Sequence, residues 1–509
     1  MSRSLRRLPK WHGVLPMAAW FSLVYTPVTV LLASRKPLWN DELFTYYIAQ
    51  LGSFHQIWAA LLTAADQNPP IFYWLTHVSM KALPGSLLAI RLPEIFGFWL
   101  LGVCLIAFVS RHLPPAYGLL AALLAVVSGA YPYAYEARPY GLTIGLAAFA
   151  LLCWQRAEHS RVGAAWAAGL AVSLALAVSV HYYNVLLFVP LAAAEVVRWL
   201  VIRRHRWLVW VALGMGGMPL VVYLPLIRSA TSYSQTFWAK VDFGSLNDYF
   251  AFVLVPALLP LAALALWASA QYLLRFRSVE HSVTMPAVRP PLIDAVAVFG
   301  FVALPLLAVV IALGVTGAYT HRYALSAVVG MSVLGAWMLS AGFGGLSRAA
   351  LTAAAVLSLF FVGKQVRTVR SLSGGGSHHQ AIVDFLERRQ TGNYPIAIVD
   401  PHLFFELSHE APALRRRIFY VAEPRLALQH VGTDAVDRGV IGMSRWAPLQ
   451  VRKLAEVTGS SQPFLVYGYP GQAPWDWLVQ ELSSLRVPMS LIGSFHGRLL
   501  FLAQPAPRA

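Results

Sequence analysis

Long apolar segments separated by short polar breaks fill the first 366 residues of the chain. A helix needs about 20 mostly apolar residues to cross the hydrocarbon core of a bilayer, and most of these segments come near that length. The pattern predicts about eleven transmembrane helices, at residues 13–33, 88–110, 116–133, 140–155, 163–180, 182–200, 207–227, 250–274, 292–314, 322–341 and 349–366. The first segment is too long for a signal peptide, so we interpret it as a retained span.

The polar break "HYYN", residues 181–184, decides the topology, because without it two spans merge and the C-terminal part changes sides. We keep the break since the flanking loops, "QRAEHSR" at 155–161 and "RWLVIRRHR" at 198–206, are both basic, as cytoplasmic loops are. With a cytoplasmic N-terminus and an odd number of spans, the C-terminal part is predicted to be extracytoplasmic.

The sequence predicts three regions. Residues 1–366 form a membrane domain whose first external loop, residues 34–87, contains a helix-periodic stretch at 53–66 that suits the membrane interface. Residues 367–377, "RTVRSLSGGGS", resemble a linker. Residues 378–509 alternate strand-like and helix-like runs, which predicts a small α/β domain, and they contain no phosphate loop or metal-spaced cluster.

Composition supports a cell-membrane protein and argues against nucleic acid as a partner. The chain is 58% hydrophobic and 12% charged, and its formal net charge is +17. The cations collect in alternate short loops, which is the positive-inside pattern; they include Arg3, Arg6, Arg7, Lys10, Arg198, Arg203, Arg204, Arg206, Arg275, Arg277 and Arg289. The only cysteines, Cys104 and Cys153, fall within predicted spans, so no disulfide framework is expected.

The first external loop contains two acidic sites. Asp41 and Glu42 are adjacent in "WNDELFTYY", among aromatic side chains that suit an interface near lipid. In "DQNPPIFYW", Asp66 precedes the rigid Pro69–Pro70 turn. A single solvated carboxylate would need no explanation, but two acidic sites in one loop favour a functional role.

Two further loops on the same predicted side contain cations and phenols. "YPYAYEARPYGL", residues 131–142, contains Glu136, Arg138 and Tyr140, and "GAYTHRYALS" contains His321, Arg322 and Tyr323; all six are candidate substrate ligands. Arg138 could simply neutralise Glu136, yet a guanidinium among tyrosines also suits phosphate oxygens. Arg322 lies against the basic-inside pattern, which favours a ligand role.

Carboxylates and phosphate-binding donors on one external face suit a lipid-phosphate substrate. A carboxylate would take the proton of an acceptor hydroxyl, while arginine, histidine and tyrosine would hold the departing phosphate. A lipid phosphate is already stable as an anion, so the reaction needs no strong general acid. Such a donor would enter sideways from the membrane lipid.

The ordered set "WNDELFTYY", "DQNPPIFYW", "RLPEIFGFWLLG", "YEARPYGL", "HYYN" and "HRYAL" resembles the membrane glycosyltransferases of family 39 and their relatives, over about residues 13–340. These relatives include protein O-mannosyltransferases, bacterial lipid A aminoarabinose transferases and rhizobial galacturonosyltransferases. The resemblance implies a GT-C fold, a polyprenyl-phosphate sugar donor, and inverting transfer to an extracytoplasmic glycan, lipid or protein hydroxyl.

The resemblance also implies residue roles. It places the family's acidic pair on Asp41 and Glu42, with Asp41 as the general base, and the donor-phosphate contact on the turn formed by Arg138, Pro139 and Tyr140. The chain departs from the family at Glu94, where relatives have a small residue, and its tail resembles none of the family's accessory domains.

Cofactor use and two rival functions stay open at this point. Asp41, Glu42, Asp66 and His321 could bind a divalent cation, but their spacing is not that of a metal site, and no metal is predicted. A transporter or lipid-linked sugar flippase also has many spans, although the predicted spans show no internal repeat and few central charges. A noncatalytic sensor would leave the polar loops unexplained.

Overall fold

The computed structural model describes residues 11–157, 162–232, 236–239, 241–277, 290–374, 378–388, 393–469 and 476–505. Of the predictions above, the basic residues Arg3, Arg6, Arg7, Lys10 and Arg289 and the last three residues of the predicted linker lie outside these ranges.

Helices dominate the first 374 residues. They are α1 (Trp11–Arg35), α2 (Asn40–Ala49), α3 (Phe54–Leu62), α4 (Pro70–Ala82), α5 (Leu87–Val109), α6 (Pro115–Val127), α7 (Tyr140–Arg156), α8 (Gly163–Val180), α9 (Phe188–Ile202), α10 (Trp207–Gly217), α11 (Pro219–Val222), α12 (Leu224–Thr231), α13 (Gly244–Leu254), α14 (Leu258–Arg277), α15 (Leu292–Val302), α16 (Leu304–Ile311), α17 (Ala327–Phe343) and α18 (Ser347–Gly374). Short 3-10 helices lie at Tyr131–Ala134, Tyr182–Leu187, Val255–Ala257 and His321–Ala324, and a π-helical turn lies at Ala312–Thr316.

The rest of the chain is mixed. Its helices are α19 (His378–Arg388), α20 (Pro401–Glu410), α21 (Pro412–Arg415), α22 (Pro424–Val431), α23 (Ala435–Met443), α24 (Leu454–Gly459) and α25 (Trp477–Ser484). Its strands are β1 (Ile396–Ile398), β2 (Ile418–Val421), β3 (Val451–Arg452), β4 (Phe464–Gly468), β5 (Met489–Phe495) and β6 (Arg498–Ala503).

The chain divides into two compact units. The helical unit comprises Met1–Ser34, Ala82–Tyr223 and Val241–Val369, and the sheet unit comprises Arg35–Lys81, Leu224–Lys240 and Arg370–Ala509. The segment with α2, α3 and α4, which we had assigned to the membrane domain as an external loop, therefore packs with the C-terminal residues. The predicted linker is also helical as far as Gly374, because α18 continues beyond its apolar part.

The helical unit contains the helices that make this a multi-pass membrane protein. Within the described ranges, six helices are long and apolar enough to cross a membrane, or eight if each bent helix pair is one span. The predicted segments at 116–133, 140–155 and 322–341 form helices of 13, 17 and 17 residues. The total of eleven spans therefore stays a prediction. One predicted span, 292–314, bends by 47° where α15 gives way to α16, next to Pro305.

The sheet unit contains a six-stranded sheet in the order β3-β2-β1-β4-β6-β5. The first four strands are parallel, and β6 pairs antiparallel with both β4 and β5. Strands β1, β2 and β4 are buried along their whole length, as expected for parallel strands covered on both faces. This confirms the predicted fold class, a polytopic helical protein with a small C-terminal α/β domain.

Candidate active site

Helix α2 carries the predicted acidic pair in its first turn, where the helix dipole favours negative charge. Glu42 is fully buried, and its Oε2 accepts the backbone N–H of Trp39 at 3.4 Å, which caps the start of the helix. Asp41 is half-buried. The fold thus separates two carboxylates that the sequence pattern treats alike, because it uses Glu42 to build the helix and leaves Asp41 accessible.

The aromatic residues after the acidic pair attach α2 to α20 within the sheet unit. The ring of Phe44 stacks on Phe405 with 4.8 Å between centroids, and the ring of Tyr46 meets His409 edge-on at 4.6 Å. Burial raises the pKa of the neighbouring Tyr47 to about 12. Phe44 and Tyr46, which the sequence pattern placed at an interface near lipid, thus pack on protein side chains.

The second acidic site lies in the turn between α3 and α4, also in the sheet unit. Asp66 is half-buried, and its Oδ1 accepts the N–H of Gln67 at 2.7 Å. Pro69 and Pro70 are both buried, and Pro70 is the first residue of α4, where a fixed φ and a missing N–H suit the helix start. The predicted rigid turn is present, with Asp66 ahead of it.

The third site is the Arg-Pro-Tyr turn of the helical unit, which joins the 3-10 helix Tyr131–Ala134 to α7. The N–H of Arg138 donates to the carbonyl of Glu136 and the N–H of Tyr140 donates to the carbonyl of Arg138, each at 2.7 Å. These two tight turns in succession bury Arg138 and Tyr140 and leave Glu136 half-buried. The guanidinium of Arg138 is therefore held at the start of α7.

The 3-10 helix His321–Ala324 brings the fourth site to the third, within the same unit. Cζ of Arg322 lies 5.7 Å from the ring centroid of Tyr140. His181 lies between the two loops, with its ring 5.5 Å from that of Tyr140 and 5.1 Å from that of Tyr323. Tyr140, His181, Arg322 and Tyr323, together with Arg138, form what we call the arginine cluster.

Both arginines of the cluster act on the same groups. Arg138 and Arg322 each interact electrostatically with His181 and with Tyr323. Burial and the charge of Arg322 lower the pKa of His321, against a weaker opposing effect of Asp248, so His321 is neutral at pH 7. Guanidinium groups are donors suited to an anion with several oxygen atoms, and two of them interact here with the same buried phenol and imidazole rings.

The structure therefore groups some of the predicted residues and adds others. Arg138, Tyr140, Arg322 and Tyr323 lie together, whereas the ring of His321 packs on Phe252 at 4.1 Å. Sequence analysis had treated the segment with His181 as a topological break rather than as a site. The signal that could have identified this histidine is the polar tetrapeptide "HYYN" inside a long apolar run.

The part of the chain that the structure describes contains no cluster of side chains that could bind a metal. In those ranges, no three His, Cys, Asp or Glu side chains lie together in a way that could hold a metal ion.

Comparison with solved structures identifies the fold. The crystal structure of ArnT from Cupriavidus metallidurans in the apo state matches with a TM-score of 0.60 and 12% identity, over 96% of this chain and 98% of that one. ArnT from Cupriavidus metallidurans bound to undecaprenyl phosphate matches with a TM-score of 0.55 and 14% identity, over 97% and 98%. The chain has a GT-C glycosyltransferase fold. The match covers nearly the whole chain, including the C-terminal tail, whose sequence resembled none of the family's accessory domains.

No protein-family model and no curated protein matches the sequence of the chain. At identities of 12% and 14%, the likeness is one of fold. The expectation of a GT-C fold, which rested on a few short motifs, is confirmed.

Proposed function

We propose that this protein is a membrane glycosyltransferase that moves a sugar from a polyprenyl-phosphate donor to an extracytoplasmic acceptor hydroxyl, with inversion. The acceptor class is a glycan, a lipid or a protein. In this proposal the N-terminus is cytoplasmic and the C-terminal α/β domain is extracytoplasmic.

The arginine cluster is the observation that carries the proposal. It places two guanidinium groups, two phenols and an imidazole beside one another in a unit rich in membrane-crossing helices. A phosphate attached to a membrane lipid has the charge, the oxygen atoms and the location that such a cluster suits. The GT-C fold, and the undecaprenyl phosphate bound in one of the similar structures, support the same class of ligand.

The proposed reaction is a single displacement. The acceptor oxygen attacks the anomeric carbon of the sugar and forms a new C–O bond, while Asp41 takes the hydroxyl proton. The bond between the anomeric carbon and the phosphate oxygen breaks, and its electron pair leaves with the polyprenyl phosphate. Arg138 and Arg322 stabilise the negative charge that gathers on that phosphate.

The other predicted site residues have supporting roles in this proposal. Tyr140, Tyr323 and neutral His321 contribute hydrogen-bonding groups for the donor, and Glu136 belongs to the turn that presents Arg138. Asp66, with the Pro69–Pro70 turn behind it, is a second acidic group for binding sugar or acceptor. Glu42 builds α2 and does not take the proton.

A transfer assay tests the proposal. Purified protein in lipid vesicles is incubated with radiolabelled polyprenyl-phosphate sugars and a membrane extract, and labelled acceptor is counted for the wild type, Asp41→Asn and Asp384→Asn. Asp384 is a partly exposed carboxylate on α19, paired with Arg388 at 3.6 Å, and serves as the control. We expect transfer by the wild type and the control only.

Two results of this assay would contradict the proposal. Equal transfer by the wild type and Asp41→Asn would remove Asp41 as the base. Movement of intact donor across the bilayer without transfer would replace the enzyme by the rival flippase.

A further inference from the structure

A carboxylate lies buried inside one of the apolar helices. Glu94 is the eighth residue of the 23-residue helix α5, and its side chain is 0% exposed. A carboxylate within a segment apolar enough to cross a membrane is costly unless a specific partner balances it, so its presence calls for an explanation.

The first partner of Glu94 is the start of α7. Its Oε2 accepts the N–H of Leu142, the third residue of α7, at 2.8 Å. The first amides of a helix have no partner within the helix, and the residue before α7 is Pro139, which has no side-chain oxygen to cap them. Glu94 therefore caps α7 from a neighbouring helix.

Two glycines bring α5 close enough to α7 for this contact. A Cβ atom added to Gly97 would lie 2.2 Å from Cα of Leu142, and one added to Gly145 would lie 2.0 Å from the carbonyl oxygen of Gly97. The two helices thus meet backbone to backbone. Neither glycine position accepts a side chain without moving the helices apart, so the distance between Glu94 and the start of α7 is fixed.

The second partner of Glu94 is Arg138, which precedes α7 by two residues and interacts electrostatically with this carboxylate. Arg138 is 7% exposed and also interacts with His181 and Tyr323 of the arginine cluster. Arg138 therefore interacts electrostatically both with the carboxyl group of Glu94 on α5 and with the rings of the cluster.

We propose that Glu94 is a positioning residue, which holds the start of α7 and the guanidinium of Arg138 in the orientation that binds the donor phosphate. This inference rests on the proposed function. Glu94 itself touches no substrate, and it acts on the reaction only through Arg138. This role explains why a carboxylate is buried within an apolar helix.

The test separates this role from a structural one. Glu94→Gln keeps an oxygen that can accept the N–H of Leu142 and replaces the carboxyl group that interacts electrostatically with Arg138. We expect this variant to unfold within a few degrees of the wild type and to raise the KM for the polyprenyl-phosphate donor by about tenfold, with a smaller change in kcat. A buried carboxylate that only supports the fold would change unfolding without changing KM.

The control is another buried carboxylate of the same unit. Asp294, at the start of α15, accepts Nε2 of His112 at 3.0 Å and Nε2 of Gln155 at 2.8 Å. Asp294→Asn removes a buried charge of the same kind at a place without a role in the arginine cluster. We expect its donor KM to equal that of the wild type.

A double-mutant cycle with Arg138→Lys decides whether Glu94 acts through the arginine. If it does, Glu94→Gln changes donor KM in the wild-type background and has little further effect in Arg138→Lys. Effects that add fully, or a KM for Glu94→Gln equal to that of Asp294→Asn, would overturn the inference while wild-type transfer stands. Absence of wild-type transfer would instead refute the proposed function.

Discussion

Neutralising each of the two adjacent carboxylates of α2 should have a different effect. Loss of the Asp41 charge should abolish transfer, and loss of the Glu42 charge should lower stability. Asp41→Asn removes the half-buried group that we propose as the base. Glu42→Gln removes the charge of the fully buried group that caps the helix through the N–H of Trp39. Each substitution replaces one carboxylate oxygen by an amide nitrogen and leaves the size of the side chain nearly unchanged.

The expected magnitudes follow from these positions. Loss of a general base slows a reaction by roughly 10²- to 10⁴-fold, and this loss should fall on kcat of Asp41→Asn. For Glu42→Gln, the charge removed lies in the first turn of a helix, where it contributes about 1 kcal/mol, and its hydrogen bond of 3.4 Å is long. A sheet unit of roughly 200 residues should then unfold roughly 2–4 °C lower.

The assay is a paired measurement on each variant in lipid. Thermal unfolding gives the stability, and initial rates of sugar transfer at saturating donor give kcat. We expect Asp41→Asn to unfold like the wild type and to lose transfer, and Glu42→Gln to unfold earlier and keep transfer within roughly threefold. The opposite assignment, with transfer lost in Glu42→Gln and kept in Asp41→Asn, would refute the argument from burial.

Three further predictions concern the arginine cluster, the attachment of α2 and the response to alkali. Arg322→Ala should weaken binding of a polyprenyl phosphate by about 10- to 100-fold, the loss expected for hydrogen bonds to a charged group, and a binding isotherm in detergent checks this; unchanged affinity would remove Arg322 from the site. Phe405→Ala removes a fully buried ring that stacks on α2 and should destabilise the sheet unit by about 3–5 kcal/mol, measured by thermal unfolding; a loss below about 1 kcal/mol would contradict the packing. Nε2 of His379 donates to Glu406 at 3.0 Å and Nδ1 donates to Glu410 at 2.8 Å, which raises the pKa of this histidine to about 10. The folded state thus favours the charged imidazole, so its stabilising effect is complete below the unfolded pKa of about 6.5 and is lost as the pH rises through about 10; unfolding of His379→Gln should depend less on pH in that window.

The helical architecture could be predicted because it depends on composition that is local in the sequence. Each predicted span between residues 13 and 366 corresponds to one helix or one broken helix, as at 292–314, where the chain bends beside Pro305. Apolar runs show where helices lie. They do not show where a helix bends or how many cross the membrane, because both depend on packing against neighbouring helices.

The association of residues 35–81 with the C-terminal domain could not be predicted, because it is made by contacts between distant parts of the chain. Nε1 of Trp446 donates to Oγ1 of Thr63 at 3.1 Å across 383 positions, and Phe44 stacks on Phe405. The aromatic residues of α2 suited two environments equally, a lipid interface and a protein surface. Only the partner helix α20 decides between them.

The candidate site was predictable in its residue types and less so in their roles. Arg138 was proposed as a phosphate ligand because it is a guanidinium among tyrosines, and Arg322 because it lies against the basic-inside pattern. Their common neighbour His181 and the balancing carboxylate Glu94 were not selected, since one was treated as a loop residue and the other as a departure from a motif. Both residues contact parts of the chain that are distant in sequence, and such contacts cannot be derived from a single sequence.

We propose that the chain breaks the bond between a sugar and a polyprenyl phosphate. The most direct test follows the lipid itself: purified protein in sealed vesicles is given a polyprenyl-phosphate sugar and acceptor, and mass spectrometry counts free polyprenyl phosphate and glycosylated acceptor. We predict that the two appear in equal amounts and that neither appears with Asp41→Asn. Donor that stays intact in the presence of wild-type protein and acceptor, whether or not it changes leaflet, would contradict the claim.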